Sequence, residues 1–232
     1  MILINIKGDV RMKMNFSLVG DFKGWKKMEY LWLFLAVGII SILCYTWKSS
    51  PIDYISSITG VLCVVLVAKK KTSNYMYGFI NIILYAYLAH KNKLYGDFML
   101  NAFFYFPMQF IGFYLWNKTS EIKARSLGVK NILSLSMLST LIIFTYAIYL
   151  KSIGGIATLA DSTSTILSIV ATFLMIFKFS EQWLCWIVVN LVSVFMWITA
   201  FKLGSTDIGT LAMWCVFLIN SIYGYINWKK ED

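Results

Sequence analysis

Eight apolar runs of about one membrane thickness each, separated by short charged stretches, constrain this chain more than any motif does. They cover 29–47, 52–68, 74–90, 97–116, 131–150, 157–177, 182–201 and 207–228. At 1.5 Å per residue, about 20 residues in a helix cross the roughly 30 Å hydrocarbon core of a bilayer. Lipid offers no water to bond backbone N–H and C=O groups, so each run must close its own hydrogen bonds as a helix. The expected fold class is all-α: a polytopic membrane protein with eight transmembrane helices and the lipid bilayer as its solvent. Composition agrees, with 59% hydrophobic residues, 14% charged residues and a mean hydropathy of +0.70. Eight spans in 232 residues leave no room for a soluble catalytic domain, which excludes cytosolic enzymes, secreted disulfide scaffolds and disordered regulators. Cys44, Cys63, Cys185 and Cys215 all fall inside apolar runs without CxxC spacing and read as small buried hydrophobes.

The net charge of +10 lies between the runs, where it encodes topology, so no nucleic-acid partner is expected. Lys48, Lys91, Lys93, Lys151 and Lys202 fall on one side; the other 16 basic residues fall on the opposite side, which places both termini in the cytoplasm. Residues 1–28 mix charges throughout and read as a cytoplasmic leader, not a cleavable signal peptide. Within it, Phe16, Leu18, Phe22 and Trp25 among Lys23, Lys26 and Lys27 suit an amphipathic segment on the membrane surface or a plain leader.

Setting the second to fourth runs against the sixth to eighth reveals an internal repeat. Asp53 meets Asp161 at an offset of 108, and Asn74, Tyr77 and Asn81 meet Trp183, Trp186 and Asn190 at 109. Gly112 and Trp116 meet Gly224 and Trp228 at 112. The copies are separated by an even number of spans and are therefore parallel. The expected organisation is an extra helix over 29–47, a three-helix unit over 52–118, a linker helix over 131–150 and a second three-helix unit over 157–230.

Polar residues at mid-membrane cost free energy unless they find a partner or water, which makes Asn81, Gln109, Asn190 and Asn220 informative. Carboxamides offer donors and acceptors without charge and suit an amide, sugar hydroxyls or a heterocycle; helix-to-helix hydrogen bonding is the plain alternative. Trp183, Trp186 and Asn190 stand at i, i+3 and i+7, within one helical face, and Asn74, Tyr77 and Asn81 repeat the spacing. Two indoles on one face suit a flat, cationic aromatic ligand. Pro107, in the run FYFPMQFIG, predicts a kink at mid-depth, serving as a hinge or as fixed packing. Asp53, Asp97, Asp161 and Asp207 fall at the outer ends of their spans and read as helix caps, and the run DSTSTILS from Asp161 reads as packing glue. No carboxylate is expected at mid-membrane, which favours passive transport over coupled pumping. His90 is the only histidine and there is no HExxH, GxSxG or P-loop, so neither a metal site, a cofactor nor an enzyme activity is expected.

The segments ITGVLCVVLVAKKKTSNYMYGFINIILYAY, LYGDFMLN, FPMQFIGFYLW and EQWLCWIVVNL, with the closing YGYINWKK, cover most of 53–230 and resemble PnuC, the bacterial nicotinamide riboside transporter family. The resemblance implies a three-plus-one-plus-three arrangement similar to SWEET sugar transporters, in the bacterial inner membrane. It implies Trp183 and Trp186 around the pyridinium ring, with Asn190, Gln109, Asn81 and Asn74 bonding the carboxamide or ribose. It further implies facilitated diffusion, NAD-precursor uptake followed by trapping through a cytoplasmic riboside kinase, and a homotrimer. Thiamine or riboflavin carriers of the same family, and a non-transporting membrane receptor, are the alternatives.

Overall fold

A computed structural model describes residues 20–117 and 125–229; the first part of the expected leader lies outside them. The helices are α1 (Lys27–Thr46), α2 (Pro51–Ala68), α3 (Asn74–Lys91), α4 (Tyr95–Asn117), α5 (Val129–Ser152), α6 (Thr158–Ile176), α7 (Gln182–Lys202) and α8 (Ile208–Lys229). Seven of them are long and apolar enough to cross a membrane. The remaining one, α3, matches α2 in length at 18 residues but is made less apolar by Asn74, Asn81, His90 and its tyrosines. The chain is thus a helical, multi-pass membrane protein, and among the described residues the only β pairing is an isolated bridge between Arg125 and Phe179.

Helix ends follow from local chemistry. Ser50 accepts the backbone N–H of Asp53 at 3.1 Å and Pro51 occupies the first helical position of α2, where its missing N–H costs nothing. At the other ends, Lys48, Lys70, Lys93 and Lys178 adopt φ of 53°, 56°, 57° and 67°. Each is followed by an N–H that bonds back five residues, as in Lys71 to Leu66 and Leu94 to Ala89, both at 2.9 Å. A lysine costs roughly 1–2 kcal/mol there compared with glycine, offset by an ammonium beside a helix C-terminus. The lysines between the apolar runs therefore also terminate the helices.

Within α4, Leu100–Tyr105 forms a π-helical turn just ahead of Pro107. Proline supplies no N–H and crowds the carbonyl four residues earlier, on Phe103, and a widened turn relieves that crowding. The departure from α-helical geometry near Pro107 thus takes the form of a wide turn.

Helices α2, α3 and α4 form one group and α6, α7 and α8 another, meeting where α2 packs on α8 and α4 on α6. Two aspartates join them reciprocally. Asp53 on α2 accepts the N–H groups of Gly209 and Thr210, both at 2.8 Å, at the start of α8. Asp161 on α6 accepts those of Gly96 and Asp97, at 2.8 and 2.9 Å, at the start of α4. The carboxylates do cap helices, as expected of acids at span ends, but the helices they cap belong to the other group. Gly96 and Gly209 make the approach possible, since a Cβ at either position would lie within 2.7 Å of the carboxylate.

Helix α1 lies across α2 and α8. Glu29 at its start accepts Lys69 Nζ from α2 at 2.8 Å and Tyr223 Oη from α8 at 2.6 Å. Just before it, Trp25 is buried, with its indole N–H on the Asp21 carbonyl at 2.8 Å and the Lys69 ammonium 5.7 Å from its ring. Over Gly20–Lys26 the leader is therefore anchored to the bundle.

Candidate functional site: a central cavity

A cavity of about 140 Å³ lies between the two groups and is lined from α2, α3, α4, α6, α7 and α8. Helix α3 lines it from Asn74 to Tyr85, a rise of about 16 Å, or roughly half the hydrocarbon depth. Of the expected residues, Asn74, Asn81, Gln109, Trp183, Trp186 and Asn190 are on its wall, together with Asn220. Tyr77 is not; it packs against the buried apolar core. Pro107 itself does not line the cavity, although its neighbours Met108 and Gln109 do.

The wall fixes which end of each amide is available. Asn74, Asn81 and Asn220 donate Nδ2 to the backbone carbonyls of Lys71, Ser56 and Val64 at 2.6, 2.8 and 2.9 Å. A carbonyl only accepts, so these amides can be oriented in one way. Asn190 is fixed as well: Ser221 spends its proton on the Leu218 carbonyl and so accepts Asn190 Nδ2, at 3.2 Å. All four Oδ1 atoms are left without a protein donor among the described residues. Gln109 Oε1 is buried and likewise unpartnered. The amide set thus offers mainly acceptors, suited to a ligand rich in O–H and N–H groups.

The two indoles differ. Trp183 is buried, edge-on to Trp228 at 5.9 Å, and flush against Gly224, where a Cβ would meet its ring at 2.6 Å. Tyr75 makes the same arrangement in the other group, edge-on to Trp116 at 5.5 Å and over Gly112, where a Cβ would meet its ring at 2.5 Å. In its packing, Tyr75 rather than Asn74 resembles Trp183. Trp186 is only half-buried, so it presents the more open aromatic face.

The far end of the cavity carries residues that sequence reasoning assigned elsewhere. Ser164 and Ser168 of the run expected to be packing glue are on the wall, and so are Tyr85, Asp97 and Asn101. Asp97 is a wall residue as well as a first-turn acid. It stands four residues before Asn101, and that i, i+4 spacing on one helical face was the legible signal. Its Oδ2 accepts Tyr85 Oη at 2.5 Å, and Tyr85 in turn accepts the indole N–H groups of Trp197 and Trp214 at 2.9 and 3.2 Å. No Lys, Arg or His lines the cavity among the described residues. Nor do three His, Cys, Asp or Glu side chains gather there to hold a metal ion.

A family model described as nicotinamide mononucleotide transporter matches residues 50–230. The nicotinamide riboside transporter PnuC of Neisseria mucosa is 40% identical over 219 residues, covering 90% of this chain and 83% of that protein. The chain belongs to the PnuC family of membrane transporters. Its PnuC relative in Haemophilus influenzae is 35% identical over 215 residues, covering 89% of this chain and 92% of the relative. A crystal structure of the vitamin B3 transporter PnuC superposes with a TM-score of 0.82 at 38% identity, covering 93% of this chain and 97% of that one. Relatives with these names are transporters, not enzymes, in line with the missing catalytic constellations.

Proposed function

We propose that this protein carries nicotinamide riboside across the bacterial inner membrane by facilitated diffusion, with both termini in the cytoplasm. The observation that carries the reading is the chemistry of the cavity wall: amide acceptors, an open indole, one carboxylate and no cation. Nicotinamide riboside is a flat pyridinium bearing a carboxamide and sugar hydroxyls. Trp186, backed by Trp183, stacks on the ring, and desolvated cation-π contact contributes about 2 kcal/mol. Asn81, Asn190, Gln109 and Asn74 accept from the hydroxyls and the carboxamide N–H groups. The names of the Neisseria and Haemophilus relatives point to the same cargo.

The description of the matching family model raises the mononucleotide as a second cargo. Its phosphate would enter a cavity lined by no basic residue, and an unpaired buried anion is costly. The riboside is therefore the better fit. Thiamine, also a flat cation, lacks the ribose hydroxyls that the acceptor set suits.

For mechanism, we read α2–α4 and α6–α8 as parallel repeats joined by α5 in a SWEET-like arrangement and rocking about the shared cavity. The reciprocal caps of Asp53 and Asp161 and the matched Tyr75 and Trp183 clusters support that reading. The wide turn before Pro107 is the place for flexing. Net uptake then depends on a cytoplasmic kinase that traps the riboside, and the assembled form is a homotrimer.

Calorimetric titration of the purified protein with nicotinamide riboside, its mononucleotide and thiamine tests the cargo. The riboside is expected to bind at least about tenfold more tightly than either of the others, a difference of about 1.4 kcal/mol. Tighter binding of thiamine would transfer the assignment to thiamine, and no binding of any of the three would overturn it.

A further inference from the structure

The cargo reading counts the carboxylate at the far end of the cavity as part of the wall but gives it no contact with the ligand. We propose that Asp97 sets the charge preference of the cavity, so that a cationic ring is selected over a neutral ring of the same shape. The inference rests on the transport reading for the identity of the cargo and adds the residue that discriminates by charge.

The directions of the hydrogen bonds give the state of Asp97. Indole N–H groups only donate, so Trp197 and Trp214 occupy both lone pairs of Tyr85 Oη. The Tyr85 proton must then point at Asp97 Oδ2, 2.5 Å away. Ser164 donates to Oδ1 at 3.3 Å. Both oxygens are placed to accept, as the oxygens of a carboxylate do. Asp97 makes no salt bridge among the described residues, and no cation lines the cavity. Asp161, the neighbouring acid, accepts the Gly96 and Asp97 amides.

A buried carboxylate without a counter-ion is expensive, and intramembrane charges of this kind mark ligand pathways. The partner that removes the cost is a cation that arrives with the cargo. In a water-poor cavity the attraction acts over several ångströms, because the effective dielectric is far below that of water. It also repels anions, and so reinforces the exclusion of phosphorylated cargo. The four unpartnered amide oxygens hold hydroxyls equally well on charged or neutral ligands, leaving charge selection to Asp97 and to the Trp186 indole.

The test compares nicotinamide riboside with benzamide riboside, a neutral carbon isostere with the same carboxamide and sugar, by calorimetry on the purified full-length protein. The wild type is expected to bind the cationic riboside on the order of a hundredfold more tightly, with the indole and the carboxylate each contributing. Asp97→Asn is expected to lower that ratio several-fold, to what the Trp186 indole alone sustains, and Asp97→Glu to keep most of it. A merely structural role would weaken both ligands together and leave the ratio in place. A wild-type ratio near one overturns the inference without any variant, and so does an unchanged ratio in folded Asp97→Asn. Failure of the wild type to bind either riboside would instead defeat the transport reading, and this inference with it.

Discussion

Replacing Trp186 with alanine is expected to weaken nicotinamide riboside binding by about 30-fold or more while leaving the protein folded. Trp186 is half-buried and packs at the edge of both apolar clusters, so its removal exposes little that was sealed. Its loss removes the open aromatic face, and about 2 kcal/mol of desolvated cation-π contact corresponds to roughly that factor in affinity. The paired control is Trp183→Ala. Trp183 is seated on Gly224 and Trp228, so its truncation opens a cavity and costs about 3–5 kcal/mol of stability as well as affinity. Calorimetry together with thermal unfolding in detergent separates the two outcomes. Full affinity in Trp186→Ala would remove the indole from the binding account.

Asp53→Ala is the substitution with the largest expected effect on stability. The Asp53 side chain is wholly buried and accepts from Gly209 N, Thr210 N, Thr210 Oγ1 at 2.6 Å and Ser49 Oγ at 2.8 Å. Alanine would leave those donors without their acceptor and uncap α8, at a cost of about 3–5 kcal/mol. The unfolding midpoint should fall by about 10 °C at this chain length. Lys91→Met is the contrast: the Lys91 ammonium lies 3.2 Å from Asp207 but is 45% exposed, and such pairs contribute less than about 1 kcal/mol. Asp207 retains Asn92 and Ser205 as partners when Lys91 is gone. Equal midpoints for Asp53→Ala and wild type would show that the α2 to α8 junction does not hold the groups together.

The helices were legible because lipid imposes a length and a hydropathy that few other constraints can mimic. Their ends fall within two residues of the apolar runs. The Trp183, Trp186 and Asn190 face followed from helical spacing alone, and all three residues line the cavity. Tyr77 shared that spacing and yet packs into the core, while Tyr75, seated over Gly112, lines the cavity instead. Asp53 and Asp161 were read as caps of their own helices, whereas they cap helices 156 and 65 residues away, at Gly209 and Gly96, beyond any local pattern. Ser164 and Ser168 gave no signal, since hydroxyls within membrane helices ordinarily bond to their own backbone. Lysines that end helices with positive φ were equally hidden, because glycine is the residue expected there.

The central claim is that this chain lets nicotinamide riboside equilibrate across a membrane without an energy source. The most direct measurement is entry of labelled riboside into sealed vesicles that contain the purified protein and no kinase. The internal concentration is predicted to rise to the external one and stop there, unaltered by an imposed proton or sodium gradient, and to rise no faster than in empty vesicles when Trp186→Ala replaces the wild type. Accumulation above the external concentration, or no entry with the wild-type protein, would contradict the account.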